Sequence, residues 1–318
     1  MRRISLYFSK YSHIILLLLI CFCMYIVSPV FLTWNNIINV LRQSAMLLIM
    51  SLGMMYAMLL GRGVDMSIGS TLALSSCVGA YIMTNNSGNS YTVLGVGVIL
   101  LIGILVGLLN GALIAYLKLP AILVTFGTRE IVRGIAYYLM SDQVLTGLPS
   151  SILFVGSGRL FNRMIPMPVV IAAVLTVVAM FVLRKTMLGR RIYIVGANPV
   201  TAEFSGVHVY RVIISGFVVS GLMAAIAGIV YIGRLGAAEP QIGEAFAFQC
   251  VAAVAIGGTS FSGGIGSASG AVIGALILTL LINAMNLLNV SSSWQGVMNG
   301  LVIIIAVLLD DLARRQTR

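Results

Sequence analysis

The sequence predicts an all-α polytopic membrane protein, and three observations predict it. Of 318 residues, 60% are hydrophobic and only 8% are charged, against about 25% charged in an ordinary soluble domain. Several apolar runs approach about 20 residues, the helical length that spans a bilayer core, and they lack the short alternating pattern of a membrane β-barrel. The Lys and Arg residues behind the formal net charge of +11 cluster beside the ends of those runs. That distribution marks membrane topology rather than nucleic-acid binding.

About ten transmembrane helices are expected, at 13–31, 37–60, 66–84, 92–117, 119–139, 168–184, 210–233, 246–261, 266–289 and 294–310. The first follows Arg2, Arg3 and Lys10 and runs into Ser28-Pro29 instead of a small-residue cleavage site, so it reads as an uncleaved span with its N-terminus in the cytoplasm. Inner loops then receive Arg62, Lys118, the Arg184 to Arg191 cluster, Arg211 and the Arg314, Arg315, Arg318 tail, whereas the outer side receives Arg42, Arg159, Arg163 and Arg234. Both termini are therefore expected in the cytoplasm, and residues 1–318 form one transmembrane domain.

Among the outer segments, 85–91 is a short polar turn. The segment 141–168 is long and broken by Gly147, Pro149, Gly156, Gly158, Pro166 and Pro168, enough chain for a short surface helix or a docking edge for an external partner. Within the spans, Gly103, Gly107 and Gly111 share one helical face, and Gly216, Gly221 and Gly228 lie along another helix; small residues so spaced let membrane helices approach closely. Cys21, Cys23, Cys77 and Cys250 lie in or beside apolar runs without histidine neighbours and read as small buried hydrophobes.

Two polar, glycine-rich stretches interrupt the spans: Gly61–Ser70 (GRGVDMSIGS) and Ala255–Ser269 (AIGGTSFSGGIGSAS). Such backbone is tolerated in a membrane only where protein buries it or it lines a water-filled cavity. Their cores, GVDMSIG and GTSFSGG, echo one another, as the repeats of transporters do. Neither is a nucleotide loop, because a Walker A motif needs lysine after glycine and none of Lys10, Lys118 and Lys185 follows one. Any ATP is bound by another chain.

The fifth span carries Arg129, Glu130 and Arg133, charges that are costly in a membrane unless satisfied. Glu130 and Arg133, three apart, are expected to pair. The uncharged polar residues suit hydrogen bonds to a neutral polyol and equally suit helix-to-helix contacts. Asp65, Ser67, Asn110, Thr125, Thr128, Asn283 and Asn286 are the candidates to line a pathway. Intramembrane carboxylates are scarce, which argues against ion-coupled transport. His13 and His208 are too far apart for a dyad, so no catalytic residue and no metal site are expected.

The basic segment 184–211 carries its own helix signals: Asn198 as N-cap, Pro199 as first helical residue and Gly206 just past the end. A helix over 199–205 is too short to stand alone in water and needs a surface to dock on.

GVDMSIGSTLAL (63–74), LPAILVTFGTREIVRGIAYYL (119–139), GRRIYIVGANPVTAEFSGVHV (189–209) and AAVAIGGTSFSGGIGSASGAVIGALIL (252–278), followed by NLLNVSSSWQGVMNGLVIIIAVLLD, together resemble the membrane permease of ribose-type bacterial ABC importers. The resemblance implies an inner-membrane permease in a homodimer or other pair, a cytoplasmic ATPase subunit that holds ATP and Mg, and a periplasmic sugar-binding protein. It implies no cofactor on this chain and no nucleic acid. It makes the 189–209 loop the ATPase-coupling segment, in which Gly189, Arg190, Gly196, Asn198, Ser205 and Gly206 match the motif and Glu203 lies on the same short helix.

Where relatives often carry an acidic Glu-Leu-Asp stretch, this chain has Ala247, Phe248 and Gln249. The expected activity is translocation of a monosaccharide or related polyol by alternating access. A nucleoside, a signalling furanose or an inositol would suit the same architecture, and a stand-alone channel or secondary carrier is the rival of a different class.

Overall fold

The computed structural model describes residues 17–85, 88–141, 143–160 and 164–315. The expected N-terminal anchor Arg2, Arg3 and Lys10, together with Arg163 and Arg318, lies outside the described residues. Each of the ten expected spans overlaps one helix: α1, described over Leu17–Val27, then α2 (Trp34–Leu59), α3 (Ile68–Thr84), α4 (Asn89–Tyr116), α5 (Ala121–Met140), α7 (Met167–Lys185), α10 (Val209–Leu235), α11 (Phe246–Ile256), α12 (Ala268–Leu287) and α13 (Ser292–Arg315). Five of them, α2, α4, α7, α10 and α12, are long and apolar enough to cross a membrane. The chain is a multi-pass membrane protein.

Three short helices lie between the spans: α6 (Ser150–Ser157) in the long 141–168 segment, and α8 (Met187–Ala197) with α9 (Pro199–Phe204) in the basic segment. Two small antiparallel ladders hold the α6 end of the bundle together. β1 (Leu145–Thr146) pairs with β4 (Ala237–Ala238), and β2 (Arg159–Leu160) pairs with β3 (Ile165–Pro166).

The core is built on α2 and α10. From Ser44 to Leu59, α2 is buried without interruption, with α7, α10, α11 and α12 packed around it. The glycine stripe of α4 faces α10: a Cβ on Gly103 would strike the backbone of Gly221, one on Gly107 that of Phe217 and Val218, and one on Gly111 that of Ile214. The packing expected of small residues four apart is thus found, with α10 as the neighbour.

One span is shorter than expected. The eighth was drawn over 246–261, but α11 ends at Ile256, where Gly257 and Gly258 follow and Gly258 takes φ 81°. Eleven residues rise only about 16 Å, so α11 is a partial span that gives way to glycine-rich backbone. Cys77 and Cys250 are buried as expected, whereas Cys23 is exposed on α1.

Candidate functional site

The basic segment folds as its caps dictate. Thr186 Oγ1 accepts from Gly189 N at 3.2 Å and starts α8. Asn198 Oδ1 accepts from Val200 N at 3.0 Å and Thr201 N at 3.1 Å and starts α9, which ends at Phe204, one residue short of the expected 205. Gly206, at φ 76°, turns the chain away; its N donates to Glu203 O at 2.9 Å while Val207 N donates to Ala202 O at 3.0 Å, the double closure of a left-handed C-cap.

The expected coupling residues divide into two sets. Gly189 and Gly196 are buried, whereas Arg190, Asn198, Glu203, Ser205 and Gly206 are exposed. Helix α9 anchors Ala202 in the core and presents Val200, 61% exposed, and Phe204, 90% exposed. These apolar side chains stand four apart on one face. Beside α9 lies a cleft of about 200 Å³ whose lining includes Arg62, Lys118, Glu203 and Tyr210.

Inward, Gly196 sits where three backbones converge. A Cβ there would meet Leu59 O at the end of α2 and come within 2.7 Å of Gly264 N. Gly264 N donates to Leu59 O at 2.9 Å, and a Cβ on Gly61 would lie 2.6 Å from Ser262 O and 2.9 Å from Gly196 O. The two glycine-rich stretches therefore touch each other and the end of α8. Tyr193 of α8 adds a donor, Oη to Gly266 O at 2.8 Å. Burial raises the Tyr193 phenol above its usual range against the opposing pull of Arg184, which keeps that donor protonated.

From this junction the first glycine-rich stretch leads into a polar cluster. Asp65 Oδ1 accepts from Ser67 N at 3.0 Å and Ser67 Oγ at 2.6 Å, and Oδ2 accepts from Ser220 Oγ at 2.6 Å. Asn110 Nδ2 donates to Ser67 Oγ at 2.8 Å, and Met66 N donates to Thr125 Oγ1 at 3.0 Å. Four of the candidate lining residues, Asp65, Ser67, Asn110 and Thr125, thus meet at one buried point that ties the α2–α3 link to α4, α5 and α10. Asp65, Ser67 and Asn110 are linked through their side chains, whereas Thr125 Oγ1 engages the backbone of Val64, Met66 and Ala121; Asn110 Oδ1 has no hydrogen-bond partner among the described residues. Thr128 lies one turn farther along the buried face of α5.

The other candidates lie elsewhere. Asn283 of α12 forms a reciprocal amide pair with Asn36 of α2, at 3.0 and 2.9 Å. Asn286 is exposed and accepts from Gln295 Nε2 at 2.7 Å. This second set joins α12 to α2 and α13 and shares no contact with Asp65.

The expected Glu130–Arg133 pair does not form. Glu130 pairs with its neighbour Arg129, Oε1 to Nε at 3.5 Å, because Arg133 lies on the buried face of α5 and Glu130 does not. Arg133 Nη1 instead donates to the carbonyls of Pro240 and Ile242, the latter at 2.8 Å. In the segment they belong to, Ala238, Pro240 and Ile242 are buried and Gly243 packs on the backbone of Gly69. An arginine in α5 thereby holds a strand of backbone against the start of α3. Ser220 and this role of Arg133 carry no signal in the sequence, since one is a lone serine in a small-residue helix and the other binds main-chain atoms.

Comparison with known proteins agrees with this architecture. The family described as branched-chain amino acid transport system / permease component matches residues 36–307. The ribose import permease protein RbsC of Haemophilus influenzae is 37% identical over 287 residues, covering 90% of this chain and 88% of its own. The D-allose transport system permease protein AlsC of Escherichia coli is 35% identical over 309 residues, covering 97% and 93%. The xylose transport system permease protein XylH of Escherichia coli is 31% identical over 346 residues, covering 90% and 87%. No solved structure matches the chain. The chain belongs to this permease family and, within it, to the ribose-type permeases of bacterial ABC importers.

Proposed function

We propose that this chain is the membrane subunit that carries a monosaccharide across the bacterial inner membrane, paired with a second copy of itself, driven by a cytoplasmic ATPase and supplied by a periplasmic binding protein. In this reading the α8–α9 end faces the cytoplasm, as the positive-inside distribution supports. The relatives named for ribose, allose and xylose support a pentose or hexose as solute.

The observation that carries the reading is the three-way backbone junction at Gly61, Gly196 and Gly264. Helix α9 offers Val200 and Phe204 to a partner, and the end of α8 immediately before it rests on both glycine-rich stretches. Backbone-to-backbone contacts leave no side chain to absorb a displacement, so motion of α8 passes directly to Leu59 and Gly264. The α2–α3 link then conveys it to Asp65 and Ser67. Alternating access follows when that displacement parts the polar cluster and frees its amide and hydroxyl groups for a sugar.

Reconstitution tests the proposal. In proteoliposomes, labelled-sugar uptake is expected only with the ATPase, ATP and the loaded binding protein present. Uptake by this chain alone would establish a channel or carrier instead.

A further inference from the structure

Helix α5 carries its charges at mid-depth. Val132 and Ala136 of α5 pack in one cluster with Ile102 and Val106 of α4, and these two lie near the middle of a helix long and apolar enough to cross a membrane. Arg129, Glu130 and Arg133 are therefore level with the middle of the bilayer. With Phe126 and Tyr137 they follow helical spacing along one flank of α5, whereas the exposed Ile131, Ile135 and Leu139 occupy the other.

A second element reaches the same depth. Ala238 pairs with Leu145, beyond the end of α5. From there the chain runs inward: Arg133 holds the carbonyls of Pro240 and Ile242, and Gly243 lies on the backbone of Gly69 near the start of α3. Gln241 and Glu244 of this non-helical stretch are exposed. Arg129 and Glu244 both lie within electrostatic reach of Arg133, which places them on one patch.

Polar side chains exposed at mid-bilayer face water or protein, not acyl chains. The patch holds two cations, Arg129 and Arg133, and two carboxylates, Glu130 and Glu244, so no net charge draws an ion of either sign. A dry contact between two copies would strip water from these charges at high cost. A sugar suits the patch, because each hydroxyl donates and accepts: the carboxylates accept, Arg129 donates and the Gln241 amide does both. Space is kept beside Glu130, since a Cβ on Gly127 or Gly134 would enter open space although alanine is the better helix former.

We infer that Arg129, Glu130, Gln241 and Glu244 form a mid-bilayer contact site for the sugar, on the outer side of the Asp65 cluster. The inference rests on the importer reading above and adds the station that the sugar occupies before the cluster parts. Thr125, which accepts from Met66 N, stands one turn before Arg129 on α5, so the two sites adjoin.

The test uses the complete importer in proteoliposomes, with labelled ribose, allose and xylose each offered through the cognate binding protein. Glu244→Gln is expected to lower uptake about tenfold, the effect of losing one charge-assisted hydrogen bond. Binding-protein-stimulated ATP hydrolysis stays at the wild-type rate, so hydrolysis per sugar imported rises. Unchanged uptake, or uptake and hydrolysis lost together as a structural role requires, overturns the site. Access is read separately: Glu244→Cys is expected to react with a charged, membrane-impermeant thiosulfonate faster than Ile135→Cys on the opposite flank. Equal reactivity, or a disulfide joining two copies through Glu244→Cys, overturns the site and leaves the importer reading standing. A wild-type importer that carries none of the three sugars overturns the importer reading, and the site with it.

Discussion

Ser220 Oγ donates to Asp65 Oδ2 at 2.6 Å, joining residues 155 positions apart. Gly53 of α2 packs on the same stretch of α10, with its would-be Cβ 3.1 Å from Ser220 Cα. The bond therefore fixes the α2–α3 link beside a close approach of the two central helices. Asp65 also accepts twice from Ser67, so one carboxylate sets the conformation of the link and its distance from α10.

Asp65→Ala is accordingly expected to lower stability by about 3 kcal/mol, since it strands the donors of Ser67 and Ser220 in a buried site. Ser220→Ala removes one donor and costs about 1 kcal/mol. Thermal unfolding of the detergent-solubilised protein measures both, and equal melting temperatures for wild type and Asp65→Ala would contradict the arrangement.

At the three-backbone junction, Gly196→Ala forces a Cβ into the Leu59 carbonyl, where only backbone can yield. Overpacking of this kind costs about 1–3 kcal/mol, and the displacement of α8 is expected to reduce sugar uptake at least about tenfold. Gly97→Ala on α4, whose Cβ enters open space, is the matched control and should leave uptake unchanged.

For the short helix, Gly206→Pro removes the N–H that closes on Glu203 O and demands a φ that Gly206, at 76°, does not have. Together with Glu203→Arg on the exposed face of α9, it is expected to separate ATP hydrolysis from uptake while the permease stays in the membrane. Parallel assays of hydrolysis and transport in proteoliposomes decide this, and wild-type uptake in both variants would contradict it.

Arg133→Met keeps an unbranched, flexible side chain, though a shorter one, and deletes its donors to Pro240 and Ile242. Hydrogen–deuterium exchange is expected to rise selectively over residues 240–244 with little change in α4 or α10. Uniform protection in the variant would show that the β1–β4 pairing alone holds this segment.

Most of the helices and the caps of α9 were legible because their signals are local: apolar run length, Asn198-Pro199 and Gly206 each act within a few residues. The polar cluster was half legible. Asp65, Ser67, Asn110 and Thr125 stood out as polar residues in or beside apolar runs, but nothing in sequence spacing says that they meet one another while Asn283 meets Asn36. The end of α11 at Ile256 was missed because apolar length was weighed above the Gly257-Gly258 pair, which breaks the helix. Arg133 was assigned to the nearest opposite charge, whereas its partners are carbonyls more than a hundred residues away, and main-chain acceptors leave no mark in composition.

Phe204 stands 90% exposed on a helix of six residues, and this has a bearing on assembly. A large aromatic side chain held in water at the tip of a well-capped turn is a surface that chaperones and membrane proteases engage. Under the importer reading proposed above, a copy of the permease made ahead of its ATPase displays that tip, and a copy seated in the complete importer conceals it. Lifetime then enforces subunit balance in that reading: unescorted permease is cleared, and its abundance follows that of the ATPase even when its own synthesis does not.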